Sequence, residues 1–84
     1  MAVQLTVYQR HGCHLCSDML VALETLRAEL GFQLQTVDID ADAGLRQRYD
    51  SRVPVLAAGD VEICYYFLDE PLLRAHLAEN SRDR

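Results

Sequence analysis

Cys13 and Cys16 stand three residues apart in the stretch YQRHGCHLCSD, with His11 just before the pair and His14 inside it. Thiols at this spacing can exchange electrons by opening and closing a disulfide, or they can supply half of a metal site. Zinc asks for four ligands. Here His11, His14 and the distant Cys64 accompany one Cys-x-x-Cys, with no second closely spaced pair.

Geometry separates the two thiols. Within a regular helix, residues three apart hold their Cβ atoms about 5 to 6 Å apart, whereas a disulfide needs roughly 3.5 to 4.5 Å. The pair closes if Cys13 stands at the helix cap, and Gly12 makes a bend there cheap. Free N–H groups and the positive end of the helix dipole favour a thiolate at that position, and such thiols have pKa values lowered to roughly 3.5 to 7.5. Cys13 is therefore expected to be the nucleophile, and Cys16, one turn further in, the resolving thiol. As a structural staple the pair is weak, since a four-residue loop yields about 2 kcal/mol by chain entropy. His14, when protonated, would add positive charge within reach of the Cys13 sulfur; it reads equally well as an exposed polar residue at a helix start. His11 has the same two readings, while His76 reads as a surface or boundary residue.

The elements that position these residues follow from periodicity. Val3, Leu5 and Val7 alternate with polar neighbours as in a strand that ends beside the cysteines. Leu15, Met19, Leu23, Leu26 and Leu30 then share one helical face, and Gly31 supplies the stop. Phe32 to Ile39 is rich in strand formers with apolar residues on both faces, as suits a strand covered on two sides. Asp40 and Asp42 can cap a short helix through Ala43, Leu45 and Tyr49. Val53 to Ala57 and Val61 to Tyr66, joined by Gly59 and Asp60, read as a hairpin. A last helix opens at Asp69, Glu70 and Pro71 and turns Leu72, Leu73 and Leu77 inward, with a frayed polar tail from Asn80 to Arg84. The order β-α-β-α-β-β-α predicts an α/β fold, a four-stranded mixed sheet with helices on both faces. The N-terminus of the first helix then lies at the carboxyl end of a strand, where α/β folds place their sites.

Val53-Pro54 is the second feature of interest. A proline opening a strand lacks a ladder donor, and X-Pro is the bond type that is often cis. It reads as a plain trans strand start, or as a cis bond whose neighbouring backbone groups face the cysteines and pair with an extended substrate.

The 84 residues make a single domain over 1–84, with a core from about 2 to 79. Half are hydrophobic and a quarter charged, which excludes a disordered chain. A net charge of -5, dispersed rather than blocked, argues against nucleic acid and anionic membranes as partners. Three cysteines behind an N-terminus that runs straight into a strand pattern suggest reduced thiols in the cytoplasm.

With its element order, CHLC at the first strand-to-helix junction and RVPV opening the hairpin, the chain from Val3 to Leu77 resembles the thioredoxin superfamily. Within it the chain is most similar to short glutaredoxin-like proteins. The resemblance implies a thiol-disulfide oxidoreductase in which Cys13 attacks, Cys16 resolves, and Pro54 is a cis-proline beside which Val53 offers backbone hydrogen bonds. Arg10, at a place where the family often has a basic residue, would hold negative charge near the site. His14, Leu15, Arg52, Val53 and Pro54 complete the substrate-facing set.

Three positions depart from the family pattern. His14-Leu15 replaces Pro-Tyr, Arg52 replaces Thr, and Cys64-Tyr65 stands where a Gly-Gly pair lets backbone approach glutathione. Arg52 is expected to compensate by gripping a carboxylate. No tightly bound cofactor is implied; glutathione is implied as a co-substrate, the partners being glutathione or a disulfide-containing protein and a reductase, and the chain reads as a monomer. Two other functions fit the same residues: a redox-silent thioredoxin-fold module that binds a protein, and a metal- or iron-sulfur-binding relative. Cys64, in the apolar run VEICYYF, reads as a buried inert thiol or as a third redox thiol.

Overall fold

A computed structural model describes residues 3–82 of the chain, with side chains from 3 to 79. The elements are β1 (Gln4–Gln9), α1 (His14–Leu30), β2 (Gln33–Asp38), a 3-10 turn (Ile39–Ala41), α2 (Ala43–Tyr49), β3 (Val55–Ala58), β4 (Val61–Tyr65) and α3 (Glu70–Arg82). They form the expected α/β fold, a four-stranded mixed sheet in the order β2-β1-β3-β4. β1 runs parallel to β2 and antiparallel to β3, and β3 runs antiparallel to β4 with a bulge beside Leu56 and Ala57.

Strand alternation divides the core between the two faces of the sheet. Leu5, Val7 and Leu56 pack with Met19, Leu23 and Leu26 of α1 and Leu73 of α3. Tyr8 and Val55, the next residues along β1 and β3, pack instead with Ile39 and with Tyr49 and Leu45 of α2. Each fully buried leucine or valine contributes about 1.5 to 3 kcal/mol of transfer free energy. Thr6, a buried polar residue between these layers, has its hydroxyl satisfied by the Gln35 amide at 3.0 Å.

The helix ends follow local chemistry. Gly31 takes a left-handed φ of 75° and donates its N–H to the Arg27 carbonyl at 2.9 Å, closing α1. Asp42 caps α2 by accepting from the N–H groups of Gly44 and Leu45.

Four expectations require correction. β2 is the outermost strand, and although Leu34 and Val37 lie on opposite faces, both are only half-buried and its other residues are exposed, so neither face is fully covered. Ile39 leaves the strand and buries itself in the 3-10 turn. Leu72 is 47% exposed whereas Leu73 is fully buried, because only Leu73 and Leu77, four apart, share the inner face of α3. The backbone of α3 also continues to Arg82 where a frayed tail was expected from Asn80; residues 83 and 84 lie outside the described residues. Among the described residues, no helix is long and apolar enough to cross a membrane.

Candidate active site

The junction between β1 and α1 is a sharp bend. Gly12 takes φ 75°, and a β-carbon there would meet no atom within 4 Å. What glycine supplies at this point is the left-handed backbone and not room. The bend places Cys13 at the N-cap in extended geometry, φ -90° and ψ 109°, outside the helix. Its Sγ accepts a hydrogen bond from the Cys16 N–H at 3.1 Å, and its carbonyl receives the Ser17 N–H at 3.2 Å. The sulfurs of Cys13 and Cys16 are joined across Cα atoms 5.2 Å apart. Cys13 is half-buried and Cys16 is 1% exposed. Cys13 is therefore the more accessible of the two.

The antiparallel pairing of β1 with β3 sets Tyr8 opposite Val55, so the bend carrying the cysteines and the segment preceding β3 emerge at the same end of the sheet. The Val53-Pro54 bond in that segment is cis, with Pro54 buried and Val53 half-buried. The Pro54 carbonyl receives the Tyr66 N–H at 2.9 Å. Tyr66 in turn donates a hydrogen bond from its hydroxyl to the Ser51 carbonyl, so one residue ties both ends of the 51–54 segment to the end of β4.

Tyr66 has no counterpart among the sequence-based candidates. Cys64 and Tyr65, expected to stand at the glycine pair, have strand backbone, whereas Tyr66 has φ 66°, alone among the described non-glycine residues. The left-handed position falls one residue after Cys64-Tyr65 and is filled by an aromatic side chain. Nothing in the composition of the stretch marked it, since tyrosine rarely adopts this conformation.

Both expected cations are held by the chain itself. Arg10 forms a two-pronged pair with Asp40 at 3.1 Å for each nitrogen, and also meets Asp50 at 2.5 Å. These carboxylates raise its pKa further. Arg52 donates to both Glu62 oxygens, at 2.6 and 3.4 Å, while its guanidinium lies 5.4 Å from the Tyr49 ring centre and 5.7 Å from that of Tyr65. Glu62 sits opposite Ala57, so Arg52 reaches toward the turn end of the hairpin. Sequence spacing pointed to neither set of partners, which come from elements apart in the chain. His14 lies on the surface with its Nε2 3.4 Å from the Asp18 carboxylate one turn on. Leu15 is half-buried, and His11 is exposed in the turn.

Cys64 is half-buried against the α1 and α3 side of the core. Burial pushes its thiol up, partly opposed by a hydrogen bond with the Asp69 backbone. Among the described residues, no group of three or more His, Cys, Asp or Glu side chains is arranged to hold a metal ion.

The Arg52 to Glu62 pair carries a pH prediction. The hydrogen bond from Arg52 holds the Glu62 carboxyl below the usual carboxylate range. A lowered folded pKa means stabilisation that is complete above the unfolded value and lost as pH falls through the folded one. Glu62→Gln should therefore lower stability at pH 7 by under about 1 kcal/mol, as for exposed pairs generally. Urea midpoints should show the gap between wild type and variant closing toward about pH 3. A gap of equal size at both pH values would show that charge is not its source.

Residues 4–78 match the glutaredoxin-like domain family (DUF836). An uncharacterized protein of Mycobacterium tuberculosis is 35% identical over 83 residues, covering 93% of this chain and 86% of that one. Among solved structures, protein Ne2328 from Nitrosomonas europaea is 41% identical with a TM-score of 0.84, covering 90% of this chain and 92% of its own. The thioredoxin of Fasciola hepatica is 18% identical with a TM-score of 0.61, covering 93% of this chain and 80% of its own, a likeness of fold alone.

Proposed function

The chain belongs to the glutaredoxin-like domain family, and from that premise we propose that it is a thiol-disulfide oxidoreductase that reduces disulfides through Cys13 and Cys16. One observation carries the reading: Cys13 stands at the cap of α1 with its sulfur on the Cys16 N–H, and Cys16 is buried behind it. That arrangement favours a thiolate at Cys13 over a thiol.

In the reduced protein, Cys13 attacks one sulfur of a substrate disulfide. The substrate S–S bond breaks, and its other sulfur leaves as a thiolate that takes up a proton. Cys16, losing its own proton, attacks the Cys13 sulfur of the mixed disulfide and releases the second substrate thiol. Two electrons pass to the substrate, and the protein is left with the Cys13 to Cys16 bond. An external dithiol or reductase must then reopen that bond, so the proposed setting is a reducing compartment such as the cytoplasm. The Val53-Pro54 segment would present backbone groups to the chain flanking the substrate cysteine.

The test is alkylation of the reduced protein across pH, read peptide by peptide by mass. Cys13 should react well below the ordinary thiol range, and Cys16 slowly because it is covered. Cys64 should react only at higher pH, because burial raises its pKa. A Cys13 rate that climbs with pH no earlier than that of Cys64 would sink the proposal.

A further inference from the structure

If the site is the disulfide-reducing centre proposed above, its surroundings specify what it reduces. Glutathione presents two carboxylates and one ammonium group, so a site that binds it well needs cations to spare. Arg10 is occupied by Asp40 and Asp50, and Arg52 by Glu62. Arg48 stacks on the Tyr49 ring, 5.2 Å from its centre. Both arginines expected to face substrate are thus engaged by carboxylates, and His14 stands beside Asp18. The chain as a whole carries a net charge of -5.

What the site does offer is apolar surface next to the cis-proline. Tyr66 is hydrogen-bonded to Pro54 and 38% exposed, and its ring meets that of Tyr65 edge-on at 4.9 Å. Phe67 follows at 69% exposed. Tyr65, Phe67 and Leu72, with Glu62, Asp69 and the free thiol of Cys64, also border a surface cleft of about 380 Å³. This aromatic rim suits side chains flanking a cysteine in a polypeptide, which a tripeptide with charged ends cannot supply.

We infer that the substrate is a polypeptide disulfide whose cysteine is flanked by apolar and basic residues, and that glutathione disulfides are poor substrates. Apolar neighbours cover the Tyr65 to Phe67 rim. Basic ones answer a chain whose field is negative, which speeds encounter at low salt.

The test is a single turnover of the fully reduced protein, quenched in acid and read by mass as formation of the Cys13 to Cys16 disulfide. Three oxidants are compared: oxidised glutathione, a disulfide-linked peptide with Leu and Arg beside its cysteine, and the same peptide with Glu for Arg. The basic peptide should react on the order of tenfold faster than glutathione at low salt, and faster than the acidic peptide by a margin that narrows in high salt. Glutathione reacting as fast as the basic peptide overturns the inference and leaves the oxidoreductase reading standing. Failure with all three oxidants removes both. In a second arm, Glu62→Gln frees the Arg52 cation. The glutathione rate should rise several-fold, and the preference for the basic peptide over glutathione should shrink accordingly. An unchanged glutathione rate in the variant would show that neutralised arginine is not what excludes the tripeptide.

Discussion

Cys13→Ser is expected to lower disulfide-reducing turnover by on the order of a thousandfold or more, because a hydroxyl at the cap cannot form the mixed disulfide on which every later step depends. Cys16→Ser should fail differently. Its Cys13 still attacks, so the first substrate thiol is released, but the mixed disulfide persists and accumulates as an adduct of one protein with one substrate half. Cys64→Ser should lower turnover far less than Cys13→Ser, since Cys64, half-buried on β4, takes no part in the proposed thiol exchange. Turnover assays of the three variants, with intact mass of the quenched protein, separate the roles. A stable adduct on Cys13→Ser, or equal losses from Cys13→Ser and Cys64→Ser, would reassign the nucleophile.

The asymmetry between the two thiols was legible in the sequence because it depends on local chemistry. Glycine before cysteine and a helix period beginning after it place one sulfur at the cap and the other one turn in. The hairpin, the α1 stop at Gly31 and the capping by Asp42 were legible for the same reason, each being set by residues within one turn of where they act. What escaped was everything decided by non-local packing. Strand order makes β2 an edge, and the apolar residues Leu34 and Val37 within it carry no information about which neighbour lies beyond it. The partners of Arg10 come from the 3-10 turn and the end of α2, and the partner of Arg52 comes from β4. A basic residue near a cysteine looks the same in a sequence whether it faces substrate or its own chain. Tyr66 is the sharpest case, because a residue type that avoids positive φ gives no warning that tertiary hydrogen bonds to Pro54 and Ser51 will hold it there.

The second large effect concerns the helix that carries both thiols. Leu23 is fully buried on the inner face of α1, between Met19 and Leu26, in the cluster that also holds Leu5, Val7 and Leu56 of the sheet. Truncation to alanine removes buried methyl groups and leaves a cavity that the sheet beneath can only partly fill, at a cost of about 2 to 5 kcal/mol. Small domains hold only about 0.05 to 0.15 kcal/mol per residue, so Leu23→Ala should consume a large share of the total. The urea midpoint should fall by about 1 M or more with an unchanged slope. Val21→Ala, on the same helix but 69% exposed, should change stability by no more than about 0.5 kcal/mol. Turnover supplies the discriminating readout, because Cys13 is set by the Gly12 bend and the first turn of α1 while Leu23 lies further along the helix. In dilute buffer, per folded molecule, Leu23→Ala should keep wild-type turnover, and it should lose activity only as urea unfolds it. A variant folded by circular dichroism yet slow in turnover would show that packing under α1 sets the geometry of the cap as well as the stability of the fold.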